Sequence, residues 1–324
     1  GAQPRRIAWG EDLRVVCVST EPSPNSNEGA SLRIFDDSTF EQVGDPFTLE
    51  PHEMVQSMTY LPRSEEGGAG PGTKGCFVVG TAIEEPSHDD EGNEPNRGRV
   101  LLFTVGSRVS SAAATAATAP VAPAAAAAAV ASMETEENDE PAASLQLELF
   151  SSNEVDGAVY AIEPFGGKVL CSVKNRTMLM RWRRDGAGGA AGEAAGGAGA
   201  GAARGSAAVP ALLETECKYD GHILTVALRA SVAKNLIVVA DLMKSITLLE
   251  YTPPNAESGE TSGRLEERAR DRDTNWMLAV AMLHNDDPRS GAVDASPLCI
   301  GSTCDNNLFC ARAIANASTD EVRQ

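Results

Sequence analysis

A chain of 324 residues with a formal net charge of −19 and a pI near 4.6 excludes a general phosphate-binding surface, because nonspecific nucleic-acid affinity comes from Lys and Arg neutralising phosphates. Hydrophobic residues make up 42% of it, but alanine inflates that share and aromatics are only 5%, so the ordered core is smaller than the length suggests. Its 7 cysteines, odd in number, scattered and without a CxxC, exclude a disulfide framework and point to a reducing compartment.

In chain order, LRVVCV at 13–18 and SLRIF at 31–35 form a first apolar pair around a polar loop. Met54 to Leu61 follows as an amphipathic strand. The Gly-rich loop after it, RSEEGGAGPGTKG, lacks the GxxxxGK[ST] spacing and leads into no helix, so it does not read as a phosphate loop. CFVVGTAI at 76–83 and RVLLFTV at 99–105 make a second pair. The loop between them carries His88, Asp89, Asp90 and Glu91 without the spacing of a calcium loop, and reads as a solvated connection.

Residues 107–143 are an Ala-rich low-complexity insertion, expected to be disordered. Its uncharged part is long enough to cross a bilayer, but it has no Leu, Ile or Phe, so the drive to insert is weak. Pattern resumes with LQLELF and GAVYAIEPF, then GKVLCSVKNRTMLMRW, a hairpin turning at Lys174, Asn175 and Arg176. Residues 185–209 are nearly all Gly and Ala, a second flexible insertion. Asn175-Arg-Thr and Asn316-Ala-Ser match the glycosylation acceptor pattern, and without a secretory context both read as chance matches.

LLETECKYDGHILTVALRAS leads into Leu236 to Tyr251, LIVVADLMKSITLLEY. Two β-branched and leucine-rich runs flank the polar connection Asp241 to Lys244, which reads as a tight β-hairpin with both strands buried, against a single helix of the same length. A polar stretch, then NWMLAVAML, then SPLCIGSTCDNNLFCARA complete the chain, the last being a fifth hairpin. Cys299, Cys304 and Cys310 have the wrong spacing for zinc and no histidine nearby. There is no initiator Met, and STDEVRQ stops without a terminating feature, so a segment of a longer protein is expected.

The unit is therefore strand, strand, hairpin, with hairpins opening near residues 15, 77, 168, 236 and 298. With the insertions set aside, the repeat is about 40–60 residues, the signature of a β-propeller. The expected fold is an all-β propeller, WD40-like but without the Trp-Asp dipeptide, with about five of seven blades present. The competing arrangement is an array of β-sandwiches, which the recurring hairpin disfavours. Blades occupy 1–106, 144–184 and 210–324, the last truncated, with the innermost strands of each blade lining a central channel, the fourth at the rim, and the insertions between blades. The four histidines, His52, His88, His222 and His284, fall in separate units with no Ser or Cys partner at motif spacing, so no enzyme, cofactor or metal site is expected.

VVADLMKSITLLEY followed by ARDRDTNWMLAV, with FVVGTA, GRVLLF, GAVYAIEPFGGKVLCSV and NLFCARAIANASTDEVRQ, resembles the third propeller of one family. That family joins the large subunit of the UV-damaged-DNA-binding protein, the A subunit of the cleavage and polyadenylation specificity factor and a splicing factor 3b subunit. The resemblance favours the damage-binding branch. It implies a protein-interaction scaffold in the adaptor of cullin-4 ubiquitin ligases, linked to DNA repair and located in the nucleus, with the cytoplasm as a second compartment. The implied partners are interchangeable substrate receptors. Cullin would be held through a propeller absent from this segment, damaged DNA would be met only indirectly, and no membrane is involved. By the same resemblance, the cleft-facing positions are Leu224, Val226, Ala227, Lys244, Arg270 and Trp276. The alternative is a nucleic-acid-associated subunit of an mRNA 3′-end processing or splicing complex.

Overall fold

The computed structural model describes residues 3–21, 29–62, 75–84, 94–108, 144–183, 212–255, 257, 259–283 and 297–312. They form five antiparallel sheets in chain order. The first holds β1 (Gln3–Gly10), β2 (Val15–Glu21), β3 (Ser31–Asp36) and β4 (Gln42–Thr48). The second holds β5 (Glu53–Leu61), β6 (Cys76–Ile83), β7 (Gly98–Arg108) and β8 (Ser144–Val155). The third holds β9 (Val159–Phe165), β10 (Lys168–Val173), β11 (Arg176–Trp182) and β12 (Leu213–Asp220). The fourth holds β13 (Thr225–Ser231), β14 (Leu236–Asp241), β15 (Ser245–Thr252) and β16 (Arg264–Arg270). The fifth has three described strands, β17 (Met277–Leu283), β18 (Leu298–Thr303) and β19 (Leu308–Arg312).

Each sheet is a meander of neighbours, and successive sheets stack face to face, as propeller blades do. The second strand of a sheet explains the continuous apolar runs. In β6, Phe77 and Val79 face the first sheet, while Cys76 and Val78 face the third. In β10, Val169 and Cys171 face back and Leu170 faces forward. In β14, Ile237 and Val239 face the third sheet, and Val238 and Ala240 face the fifth. A strand buried on both faces loses the two-residue alternation that marks a half-buried one.

The first strands β1, β5, β9, β13 and β17 lie against one another, and the fourth strands lie outermost. β16, RLEERAR, buries little beyond Leu265, and β4 carries Pro46, which an outer strand tolerates. The five expected hairpins are β2–β3, β6–β7, β10–β11, β14–β15 and β18–β19. Two expectations are corrected. In the order strand, strand, hairpin, the first strand closes one sheet and the second opens the next. The two insertions do not fall between blades. One joins β7 to β8, whose pairing runs out to Arg108 opposite Ser144, and the other joins β11 to β12, which pair as far as Trp182 opposite Leu213. Both connect the third and fourth strands of one sheet, where a loop can lengthen without entering the seams between sheets. The insertions themselves, the loop bearing His88 to Glu91, the Gly-rich loop and Asn316 lie outside the described residues.

Candidate partner-binding surface

Asp241 closes β14, and its side chain is fully buried. One carboxylate oxygen accepts the amides of Met243 at 2.8 Å and Lys244 at 2.9 Å, fixing the β14–β15 turn. The other accepts the amides of Ile223 at 2.6 Å and Leu224 at 3.3 Å, in the segment that enters β13 from the third sheet. The Leu242 amide adds a bond to the Leu224 carbonyl at 2.8 Å. A carboxylate saturated by backbone donors is a strong staple, so one buried side chain joins two chain segments at one end of the fourth sheet.

A second knot lies beside it. Ser245 has φ 61, a left-handed conformation that a non-glycine residue adopts only with support. Its amide donates to the Asn275 carbonyl at 3.1 Å and its hydroxyl to Asp271 Oδ2 at 2.6 Å. Asn275 Nδ2 also reaches both side chains, at 3.3 Å each. Residues 271–276 thus pass from β16 to β17 pinned to the same turn. The Trp276 carbonyl accepts the Cys304 amide at 2.9 Å from the next sheet.

These knots leave Ile223, Met243 and Trp276 at 46, 40 and 51% exposure, on segments tied to one another through Asp241 and Ser245. Three large apolar side chains held out on rigid loops at one sheet end are the makings of a docking surface.

The structure brings the six sequence-predicted positions to this end in different roles. Leu224 is half-buried, and Val226 and Ala227 pack against the seam with the fifth sheet. Lys244 Nζ donates to the Gly221 carbonyl at 3.0 Å. Arg270 turns away, donating to Glu267 at 2.7 Å and to the Tyr219 hydroxyl at 3.0 Å, so its charge is already met. Trp276 is the exposed aromatic. Ile223 and Met243 are absent from the predicted set. Their only signal is a pair of apolar residues inside each of two polar turns, GHIL and DLMK.

His222 sits beneath the surface with its side chain fully buried, its ring 5.2 Å from that of Tyr219, and neither ring nitrogen has a hydrogen-bond partner among the described residues. Burial pushes its pKa down from 6.5 to about 4, against the opposing pull of Asp241 at 4.0 Å, so the ring is neutral and the contact is not an ion pair. Burial also pushes the thiols of Cys17, Cys76, Cys171 and Cys217 up to about 12 and that of Cys299 up to about 11, which leaves them protonated packing groups. Among the described residues no group of three or more His, Cys, Asp or Glu side chains could hold a metal ion, and no helix is long and apolar enough to cross a membrane.

Against known proteins, the sequence pattern of the family described as the CPSF A subunit region matches residues 29–191 and 209–308. The chain is 28% identical over 327 residues to a DNA damage-binding protein 1 of Solanum lycopersicum, covering 100% of this chain and 22% of that protein. It is also 28% identical over 328 residues to DNA damage-binding protein 1b of Arabidopsis thaliana, again 100% of this chain and 22% of the relative. The DNA damage-binding protein 1 of Oryza sativa subsp. japonica is 28% identical over 327 residues, 99% of this chain and 22% of the relative. The chain thus spans about a fifth of the length of the curated relatives it matches.

Proposed function

Because the chain belongs to the CPSF A subunit region family, we propose that it is a non-catalytic protein-interaction scaffold within a DNA-damage-related adaptor, resembling the substrate-receptor-binding propeller of cullin-4 ubiquitin ligases. The relatives' name, DNA damage-binding protein 1, supports the setting. The observation that carries the reading is the apolar set Ile223, Met243 and Trp276, held outward by the Asp241 and Ser245 knots. An exposed tryptophan on a pinned loop contributes binding energy without first losing conformational freedom.

In this reading a substrate receptor lays an apolar side-chain cluster, presented by a helix or loop, on Trp276. Met243 supplies an adaptable neighbour. Lys244 favours a carbonyl-rich or acidic end of the partner segment, such as a helix C-terminus. Arg270 orders the floor rather than the contact, because Glu267 already holds it. The working compartment would be the nucleus.

The second reading, a subunit of an RNA-processing complex, is favoured by the family description alone. One experiment separates the two. The full-length protein is immobilised and offered substrate receptors of a cullin-4 ligase, cullin-4 itself, and single-stranded RNA at two salt concentrations. Receptor capture with no salt-dependent RNA binding supports the scaffold. Salt-dependent RNA capture without receptors supports the alternative.

A further inference from the structure

A cavity of about 640 Å³ lies where β1 and β5 end, between the first and second sheets. The surface above lies where β13 and β17 begin, so the two occupy opposite ends of equivalent strands. Ile7, Trp9, Met58 and Tyr60 wall the cavity, and Glu11 and Asp12 stand at its rim.

Both aromatic rings are held in place. The Tyr60 hydroxyl donates to Asp12, whose other oxygen accepts the Gly75 amide at 3.1 Å. The ring of Tyr60 lies so close to the backbone that a Cβ at Gly10 would stand 3.1 Å from it, and one at Gly75 would collide with its hydroxyl at 2.1 Å. The indole N–H of Trp9 donates to Asp37 at 3.2 Å, and Asp37 is itself braced by Arg14 at 3.2 Å. Trp9 nevertheless remains 50% exposed. Glu11 makes no side-chain hydrogen bond or ion pair among the described residues, so none of them takes up its charge.

Two held aromatic rings lining a cavity with a carboxylate rim favour a cation. Ring quadrupoles attract an ammonium group over their faces, and the attraction grows as water is excluded. The strongly negative chain adds long-range attraction for a basic partner. We propose that this cavity holds a lysine side chain presented by a basic segment of a partner protein. The apolar stem would lie along Ile7 and Met58, and the ammonium would sit between the rings and Glu11.

The test uses the full chain and short fluorescent Gly/Ala peptides with a central lysine, trimethyl-lysine or acetyl-lysine. Binding is read by polarisation at about 50 mM salt, where surface charges are weakly screened. The two charged peptides should bind, and the acetylated one should bind about tenfold more weakly or not at all. Trp9→Ala and Glu11→Gln should each weaken the charged peptides severalfold, while Trp276→Ala should not. Glu11→Gln changes only a rim carboxylate that no described residue pairs with, so it stands if Trp9→Ala fails to fold. No binding of either charged peptide, equal binding of the acetylated peptide, or unchanged binding by Glu11→Gln would each overturn the proposal.

Discussion

The Asp241 carboxylate accepts the Ile223 amide at 2.6 Å, across a gap of 18 residues in sequence. The same group holds Leu224, Met243 and Lys244. Replacing it with alanine would leave four buried or half-buried amides seeking partners, at about 1–3 kcal/mol for each that water cannot reach. Asp241→Ala should therefore lower urea stability by about 3 kcal/mol or more. Near-parental stability would show that the turn and the entry segment hold themselves.

Val238 and Leu248 are directly paired across β14 and β15, and both point into the seam with the fifth sheet. Val238 is completely buried and Leu248 nearly so. An aspartate at either position would place an unpaired charge in that seam, at a cost of about 4 kcal/mol or more. Urea denaturation of Val238→Asp and Leu248→Asp measures it, and a loss below about 1 kcal/mol would contradict the stacking of the fourth and fifth sheets.

His222 gives the stability a pH dependence of known sign. The groups acting on it are Asp241, Arg270, Lys244 and Glu267, and burial outweighs them all. Its folded pKa, about 4, lies below the ordinary 6.5, so the unfolded chain takes up a proton first as pH falls. This contribution is complete above pH 6.5, declines between 6.5 and about 4, and is exhausted below that. It amounts to at most about 3 kcal/mol. Melts of His222→Gln across this window should show a shallower slope than the parent. Identical slopes would mean that the ring reaches water.

The insertions should be dispensable for folding. Their ends emerge from paired strands, Arg108 opposite Ser144 in one case and Trp182 opposite Leu213 in the other. Their Ala and Gly composition offers little to bury against an ordering cost of roughly 1–2 kcal/mol per residue. Replacing 110–142 and 186–209 with short Gly-Ser turns should leave the melting temperature within a few degrees. A broad, early transition would show that these segments pack on the sheets.

What could be read from the sequence follows burial. β6, β10 and β14 are covered on both faces, so their runs are continuous and the hairpins stand out. The rim strands do not, because β4 (QVGDPFT) and β16 (RLEERAR) turn one face to solvent and carry proline or charge. Trp276 is reached from the sequence through the family resemblance. Ile223 and Met243 are not, since two adjacent apolar residues in a polar turn have no periodicity. They join Trp276 only when Asp241 and Ser245 fold their loops together. The resemblance that put Arg270 among the cleft-facing positions could not foresee Glu267, which sits on the same strand and takes its charge.

The most direct test of the central claim is the affinity of a purified cullin-4 substrate receptor for the full-length protein, measured by calorimetry for the parent and for Trp276→Ala, with a melt of each. Trp276 is exposed rather than packed, so its loss should weaken receptor binding by about 2 kcal/mol or more, roughly thirtyfold, while the melting temperature and cullin binding stay near those of the parent. Unchanged receptor affinity with a collapsed melt would make Trp276 a packing residue and place the partner surface elsewhere.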